Sequence, residues 1–264
     1  MRWHRVRAMA SRHVYLFRHS PLRLLEMVYW PLLDLVLWGF VSLWLRKLTA
    51  GGPADVLALF LGGLILWDLL FRAQQGVSLA YLEEVWSRNL MNLFVSPLTV
   101  GEFLASTMLV SLGKLAVSGG AMLVLAWLCY GYSLLSLGVT LLPFVALLVA
   151  FGWALGTVTT ALVLRFGQGA ESLVWVLAFA IQPIACVFYP LETLPAWLQP
   201  VALATPAAHV FEGMRAVVAG GPTPWGHLGA ALALDLLYAA GAWLVFRRTF
   251  ALARELGLLA KTGE

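Results

Sequence analysis

Residues 115–164 read LAVSGGAMLVLAWLCYGYSLLSLGVTLLPFVALLVAFGWALGTVTTALVL and carry no charged side chain. A helix needs about 20 mostly apolar residues to cross the roughly 30 Å of hydrocarbon in a bilayer. This run is too long for one crossing and long enough for two. The residues Tyr130-Gly131-Tyr132-Ser133, near its middle, are typical of a turn. The stretch therefore predicts two neighbouring membrane-spanning helices.

The composition of the whole chain extends this prediction to its full length. Of 264 residues, 61% are hydrophobic and only 11% are charged, whereas soluble domains average about 25% charged residues. Such a balance excludes an ordinary soluble enzyme, a disordered chain and a nucleic-acid binder. The two cysteines, Cys129 and Cys186, lie in apolar runs and argue against a disulfide framework. We predict an all-α, polytopic membrane protein that forms one domain over residues 1–264.

Hydropathy predicts six transmembrane helices. Their approximate bounds are Met27–Leu45, Val56–Leu82, Glu102–Cys129, Leu137–Leu164, Glu171–Tyr189 and Trp225–Phe246.

The basic residues predict the orientation, because loops on the cytoplasmic side are enriched in Lys and Arg. The predicted inner side carries Arg2, Arg5, Arg7, Arg12, Arg18, Arg23, Arg88, Arg165, Arg247, Arg248, Arg254 and Lys261. The predicted outer side carries Arg46, Lys47 and Arg215. This asymmetry predicts that both termini lie in the cytoplasm. We expect a multi-pass protein of the plasma (inner) membrane. The Arg-rich first 23 residues show no apolar core followed by a cleavage site, so we expect no cleaved signal peptide.

Two amphipathic segments are predicted at the cytoplasmic surface. In residues 1–20, apolar side chains recur every three or four positions while Arg5 and Arg12 project from the opposite side, which is typical of an interfacial helix. Ser20-Pro21 predicts the start of the next helix. Between spans two and three, residues 83–95 predict a short helix in which Glu84 and Arg88 form an i,i+4 pair. Pro97 ends it, and the Thr99-to-Glu102 spacing predicts a capping box for span three.

Residues 190–224 are apolar yet repeatedly interrupted by Pro and Gly. Irregular backbone at membrane depth is tolerated only where protein or water covers it. We predict an outer re-entrant hairpin of two short helices, near Ala196–Leu203 and Ala207–Val218.

Ionisable side chains within spans are costly and are often functional. The candidates for a path through the membrane, or for packing between helices, are Asp34, Asp68, Arg72, Lys114, Glu171 and Asp235. The i,i+4 spacing of Asp68 and Arg72 favours a local packing pair. Lys114 has no partner within one turn of its own helix, so we expect it to face another span or water.

Sequence motifs for chemistry are missing. No G-x-x-x-x-G-K-[ST] loop occurs, so the chain has no nucleotide cradle of that kind, and no H-E-x-x-H occurs either. His209 and His227 lie 18 residues apart in sequence, a spacing that gives little support to a metal site. We expect no catalytic residue, no metal and no bound cofactor in this chain.

At the level of motifs, the chain resembles the type-2 permeases of ATP-binding-cassette (ABC) exporters. Residues 86–98, WSRNLMNLFVSPL, resemble the coupling-helix segment of that family, and residues 188–200, FYPLETLPAWLQP, resemble its signature before the outer hairpin. The segment from Thr205-Pro206 through residues 209–215, HVFEGMR, continues the similarity. The candidate coupling residues are Glu83, Glu84, Trp86, Arg88, Asn89, Leu90, Leu93 and Pro97. The candidate hairpin residues are Tyr189, Pro190, Pro195, Trp197, Pro206 and His209.

The resemblance implies a permease that forms the substrate path as a dimer, with a second copy of the chain as the expected partner. A separate cytoplasmic ATPase subunit would bind ATP and Mg and drive the coupling helix. Cargo in the family includes polysaccharides, lipid-linked oligosaccharides, lipids and drugs. Two other hypotheses stay open at this point: an ion- or proton-coupled carrier that uses Asp34, Asp68, Lys114 and Asp235, and a membrane scaffold without transport activity.

Overall fold

The computed structural model describes residues 1–48 and 55–256, and these residues form helices joined by short connections. Lys261, assigned to the inner side from sequence, lies outside the described residues. The helices are α1 (Trp3–Arg18), α2 (Pro21–Leu48), α3 (Asp55–Trp86), α4 (Leu90–Val95), α5 (Val100–Tyr130), α6 (Leu141–Phe166), α7 (Leu173–Ile181), α8 (Gln199–Leu203), α9 (Pro206–Val218) and α10 (Trp225–Glu255). The prediction of an all-α protein is confirmed for the described residues.

Five helical segments among the described residues are long and apolar enough to cross a bilayer. They are Leu24–Leu48, Val56–Trp86, Val100–Tyr130, Leu134–Phe166 and Trp225–Glu255. A continuous helix suits this setting because it pairs its backbone groups within itself, where no water is available to do so. Between α5 and α6, Gly131 adopts φ 64° and ends α5, so the turn predicted at Tyr130–Ser133 is present.

The core of the bundle is the contact between α3 and α6. A Cβ placed on Gly152 would lie 2.5 Å from the Leu70 carbonyl oxygen, and one on Gly156 would lie 2.6 Å from that of Gln74. These distances show that the two backbones touch, as small residues allow in membrane helices. The fully buried Gln74 adds polar links from α3 to α6 and α7, since its Nε2 donates to the Thr159 hydroxyl at 3.3 Å and to the Val174 carbonyl at 2.9 Å.

The predicted fifth span, Glu171–Tyr189, is only partly helical. Helix α7 covers Leu173–Ile181, and the chain then continues in turns. Pro183 explains the early end, because proline lacks an N–H and its ring clashes with the carbonyl four residues before it. The prediction of an uninterrupted helix is therefore wrong, and a signal for this, Pro183, was present in the sequence.

The segment nevertheless runs antiparallel to α3 along much of its length. Contacts occur in order from the last turn of α3 toward its first turns: Glu171 with Trp86 (3.2 Å), Phe179 with Phe71 (ring centroids 5.3 Å) and Phe188 with Phe60 (6.0 Å). Since α3 rises about 1.5 Å per residue, the 26 positions from Phe60 to Trp86 span roughly 39 Å. Irregular backbone at this depth is covered by protein, as the buried Ala185, Cys186 and Val187 show.

In the predicted outer hairpin, the first helix is shorter than predicted and the second begins one residue earlier. The first, α8, begins at Gln199 rather than Ala196, because the residues that follow Pro195 form turns. The second, α9, begins at Pro206, where the Thr205 hydroxyl accepts a hydrogen bond from the Ala208 N–H at 3.3 Å. Helix α9 packs against α6 and α10, so the hairpin is attached to the bundle.

Candidate functional site

The loop between α3 and α5 begins with a sharp break. Helix α3 ends at Trp86, Arg88 adopts a positive φ of 52°, and α4 starts at Leu90. The prediction of one helix over 83–95 is therefore wrong, and so is the predicted Glu84–Arg88 pair. A helical i,i+4 contact requires both residues to lie in the same helix, and Arg88 lies in the turn.

The partner of Glu84 is Arg12 on α1. The carboxylate is 2% exposed and contacts Arg12 through both oxygens, with Arg12 Nη2 at 3.1 Å from Oε2. Asn89 Nδ2 donates to the same Oε2 at 2.7 Å, and the Asn89 N–H donates to the Glu84 carbonyl at 2.9 Å. A two-oxygen contact of this kind fixes direction as well as distance. The N-terminal helix is thus attached to the start of the loop.

A second attachment holds the end of the loop. Thr99 and Glu102 form the predicted capping box at the start of α5. The Glu102 carboxylate, 1% exposed, also accepts the Arg2 backbone N–H at 2.6 Å and pairs with Arg5 at 3.6 Å. Arg5 further donates to the Pro97 carbonyl. We call these contacts and the Arg12–Glu84 pair together the α1 clamp.

Between the two attachments, α1 buries one narrow face of Val6, Met9, Ala10 and His13. The apolar periodicity places Trp3 and Val14 on the same face as Val6 and Ala10, but both are exposed, so the buried face differs from the predicted one. Burial lowers the pKa of His13 from 6.5 to about 4, against the opposing charge of Glu84. His13 is therefore neutral at physiological pH.

The loop divides its side chains between the core and the solvent. Leu90 and Leu93 are buried, so these two candidate coupling residues anchor α4 to the bundle. Trp86 is 48% exposed and Val95 is 82% exposed, and Arg88 is exposed between them. Glu83 and Asn89 are half-buried, and Pro97 is exposed. The exposed residues form a surface at the loop.

Several of the candidate path charges meet beside this loop. A cleft of about 570 Å³ lies between α1, α2, α3, α5 and α7. Asp34, Arg72 and Lys114 line it, together with Glu26 and Glu83. Arg72 donates from Nε to both oxygens of Asp68, at 3.0 and 2.8 Å, so the predicted local pair is confirmed. The sequence indicated neither Glu26 nor Trp175 as part of such a site, since no local pattern links α2 to α7.

Two other candidate charges lie elsewhere. Glu171 accepts a hydrogen bond from the Trp86 indole at 3.2 Å. Asp235 is buried in α10, and no hydrogen-bond partner for its carboxylate is found within the part of the chain that the structure describes. It does not line the cleft.

The candidate hairpin residues differ in their burial. The Tyr189 hydroxyl donates to the Pro183 carbonyl at 2.5 Å, and Pro206 is buried. Pro190, Pro195 and Trp197 are exposed.

His209 and His227 lie together despite their separation in sequence. Their Nδ1 atoms are 3.4 Å apart, and His209 Nε2 lies 2.9 Å from the Leu203 carbonyl, to which it donates. Burial lowers the pKa of His209. The described residues hold no group of three or more potential metal ligands, so this pair has no third ligand there.

Long apolar helices joined by short loops define a multi-pass membrane protein. The sequence model described as ABC-2 family transporter protein matches residues 45–247, from the end of α2 into α10. The chain belongs to this family, and the resemblance to type-2 permeases is confirmed. The comparison with curated proteins gave no significant match.

Proposed function

We propose that the chain is the membrane subunit of an ATP-driven exporter, that it works as a homodimer, and that a separate ATPase subunit docks on its α3–α5 loop. Membership of the ABC-2 family identifies a membrane permease of an ABC transporter. The observation that carries the docking proposal is the exposed surface at Trp86, Arg88 and Val95 on a loop clamped at both ends. Exposed aromatic and Arg residues are the types that anchor protein interfaces.

We further propose six crossings, with both termini on the cytoplasmic side of the inner membrane. Five long helices alone would place the termini on opposite sides. The antiparallel course of residues 171–188 along α3 supports a sixth crossing that is only partly helical. The excess of basic residues on the side of the α1 clamp supports an inner location for that side.

The clamp suggests how the docked ATPase would act on the membrane helices. The α3–α5 loop is joined rigidly to α3 and α5, because Glu84 and Glu102 attach both ends of the loop to α1. An ATPase that binds the loop differently with and without ATP would bias the permease between two states. A displacement of the loop would then be transmitted to α3, α5 and α1 together.

Trp86→Ala, compared with Trp197→Ala, tests the docking site. Both tryptophans are exposed, at 48% and 73%, but Trp197 lies in the hairpin on the opposite side. Loss of an interface tryptophan costs about 2 kcal/mol or more, so we expect Trp86→Ala to weaken binding of the ATPase subunit about 30-fold. Trp197→Ala should leave that binding unchanged. The two affinities are measured on the purified full chain by titration with the ATPase subunit.

Equal binding by both variants and the parent would overturn the docking assignment. So would labelling, from outside intact cells, of a Ser87→Cys variant in which the exposed Cys129 is replaced by Ser. The carrier hypothesis receives less support, because Asp235 stands apart from the cleft that contains Asp34 and Lys114. Transport by vesicles that hold only this chain and an imposed proton gradient would favour it instead.

A further inference from the structure

We propose that the cleft beside the α3–α5 loop binds a lipophilic organic cation, an apolar body that carries an ammonium or similar charge. This inference rests on the proposed function, for which it names the class of cargo. The volume of the cleft, about 570 Å³, lies within the range of binding sites for small molecules.

The walls of the cleft suit an apolar body. Met27, Phe71, Leu79 and Phe179 line it, and the apolar lining exceeds the polar lining. Gln75 is the one uncharged polar side chain among the lining residues in the described part of the chain.

The charges of the cleft favour a cation. Three carboxylates, Glu26, Asp34 and Glu83, line it against two cations, Arg72 and Lys114. A fourth carboxylate, Asp68, holds the Arg72 guanidinium at 2.8 and 3.0 Å and offsets its charge. Carboxylates thus outnumber cations by two in this group. An anionic body would meet net repulsion in a setting of low dielectric constant.

The carboxylates are arranged at two depths. Glu26 lies in the second turn of α2, and Glu83 lies in the last turn of α3. Asp34 lies eight residues further along α2, about 12 Å deeper at 1.5 Å per residue. The ion pair of Arg72 with Asp68 lies at the deeper level. Glu26 and Glu83, near the loop, therefore form the acidic mouth of the cleft.

Aromatic rings provide a second means of holding a cation. Trp30, Trp86 and Trp175 line the cleft, and an ammonium over such a ring is attracted to its face. Phe17 already does this within the chain, with the Lys114 ammonium 4.1 Å from its ring centroid. The walls are therefore able to hold an ammonium group next to apolar surface.

Tetraphenylphosphonium and tetraphenylborate test the inference, because they have nearly the same shape and opposite charge. Binding of each to the purified full chain in an uncharged detergent is measured by equilibrium dialysis, with protein-free micelles as the blank. We expect saturable binding of the phosphonium at one site, at least about tenfold tighter than that of the borate. Equal or tighter saturable binding of the borate would overturn the inference.

Charge-neutral variants locate the site. Glu26→Gln and Asp34→Asn should each weaken phosphonium binding about fivefold or more. The control, Glu192→Gln, removes the same charge from an exposed position in the outer segment and should change nothing. No effect of Glu26→Gln, or an equal effect of all three variants, would overturn the inference. Because Glu26 is exposed, its variant decides the matter if Asp34→Asn does not fold.

The ATPase titration on the same preparations separates the two proposals. If the parent chain binds the ATPase subunit but shows no selective cation binding, the cleft assignment alone is overturned. If the parent chain binds the cation selectively but does not bind the ATPase subunit, the proposed docking is overturned and a cation site remains.

Discussion

The Arg12–Glu84 pair offers a sharp test of the α1 clamp, because its two partners differ in exposure. Glu84 is 2% exposed, whereas the Arg12 side chain is 39% exposed. Removal of Arg12 leaves a buried carboxylate with Asn89 as its remaining side-chain donor, which costs about 3–5 kcal/mol. Glu84→Gln removes the buried charge instead, and Arg12 can turn to water, so the cost is about 1.5–3 kcal/mol.

We therefore expect Arg12→Gln to be more harmful than Glu84→Gln, and the double variant to be less harmful than the sum of the two. The coupling energy should be at least about 1.5 kcal/mol. Amide hydrogen exchange of residues 3–18 reports the opening of α1. For Arg12→Gln, a loss of 3 kcal/mol corresponds to exchange about 150-fold faster.

Arg18→Gln is the matched control, because it removes the same charge from an exposed position on the same helix. Its exchange should equal that of the parent. The reasoning is refuted if the effects of the Arg12 and Glu84 variants simply add, or if Arg18→Gln accelerates exchange as much as Arg12→Gln does.

Three further predictions follow from other contacts. Gly156→Ala should lower the thermal unfolding temperature in detergent, because the added Cβ would lie 2.6 Å from the Gln74 carbonyl oxygen. The control, Gly113→Ala, places its Cβ in open space and should leave the unfolding temperature unchanged. Equal unfolding temperatures for the two variants would contradict the α3–α6 packing. The pKa of His13 lies near 4 when folded and near 6.5 when unfolded, so stability that is full above pH 6.5 should fall by about 3 kcal/mol as the pH drops to about 4. Exchange of α1 amides measured over that pH range checks this, and His13→Leu should remove the dependence. Thr99→Ala should cost about 1 kcal/mol in thermal unfolding through loss of the cap, and no loss would contradict the capping box.

Features that depend on neighbours in sequence were predictable. The start of α2 at Pro21, the capping box at Thr99 and the Asp68–Arg72 pair all follow from residues within one turn of each other. Long apolar runs also determine where five helices can span a membrane, since their backbones have no other way to satisfy their hydrogen bonds.

Features that depend on distant residues were not predictable. Glu84 takes a partner 72 residues away on α1, while the local candidate, Arg88, lies beyond the end of the helix. Similarly, the sequence indicated Asp34 and Lys114 as costly charges but gave no sign that they share a cleft with Glu26. Periodicity describes one helix at a time, and it carries no information on which helices become neighbours.

The direct backbone contact between α3 and α6 has a mechanical consequence. Gly152 and Gly156 lie directly against carbonyl groups of α3, with no side chains between the two backbones that could adjust. Neither helix can therefore slide or rotate against the other unless the two helices separate. We therefore expect α3 and α6 to move together as one rigid body during any transport cycle.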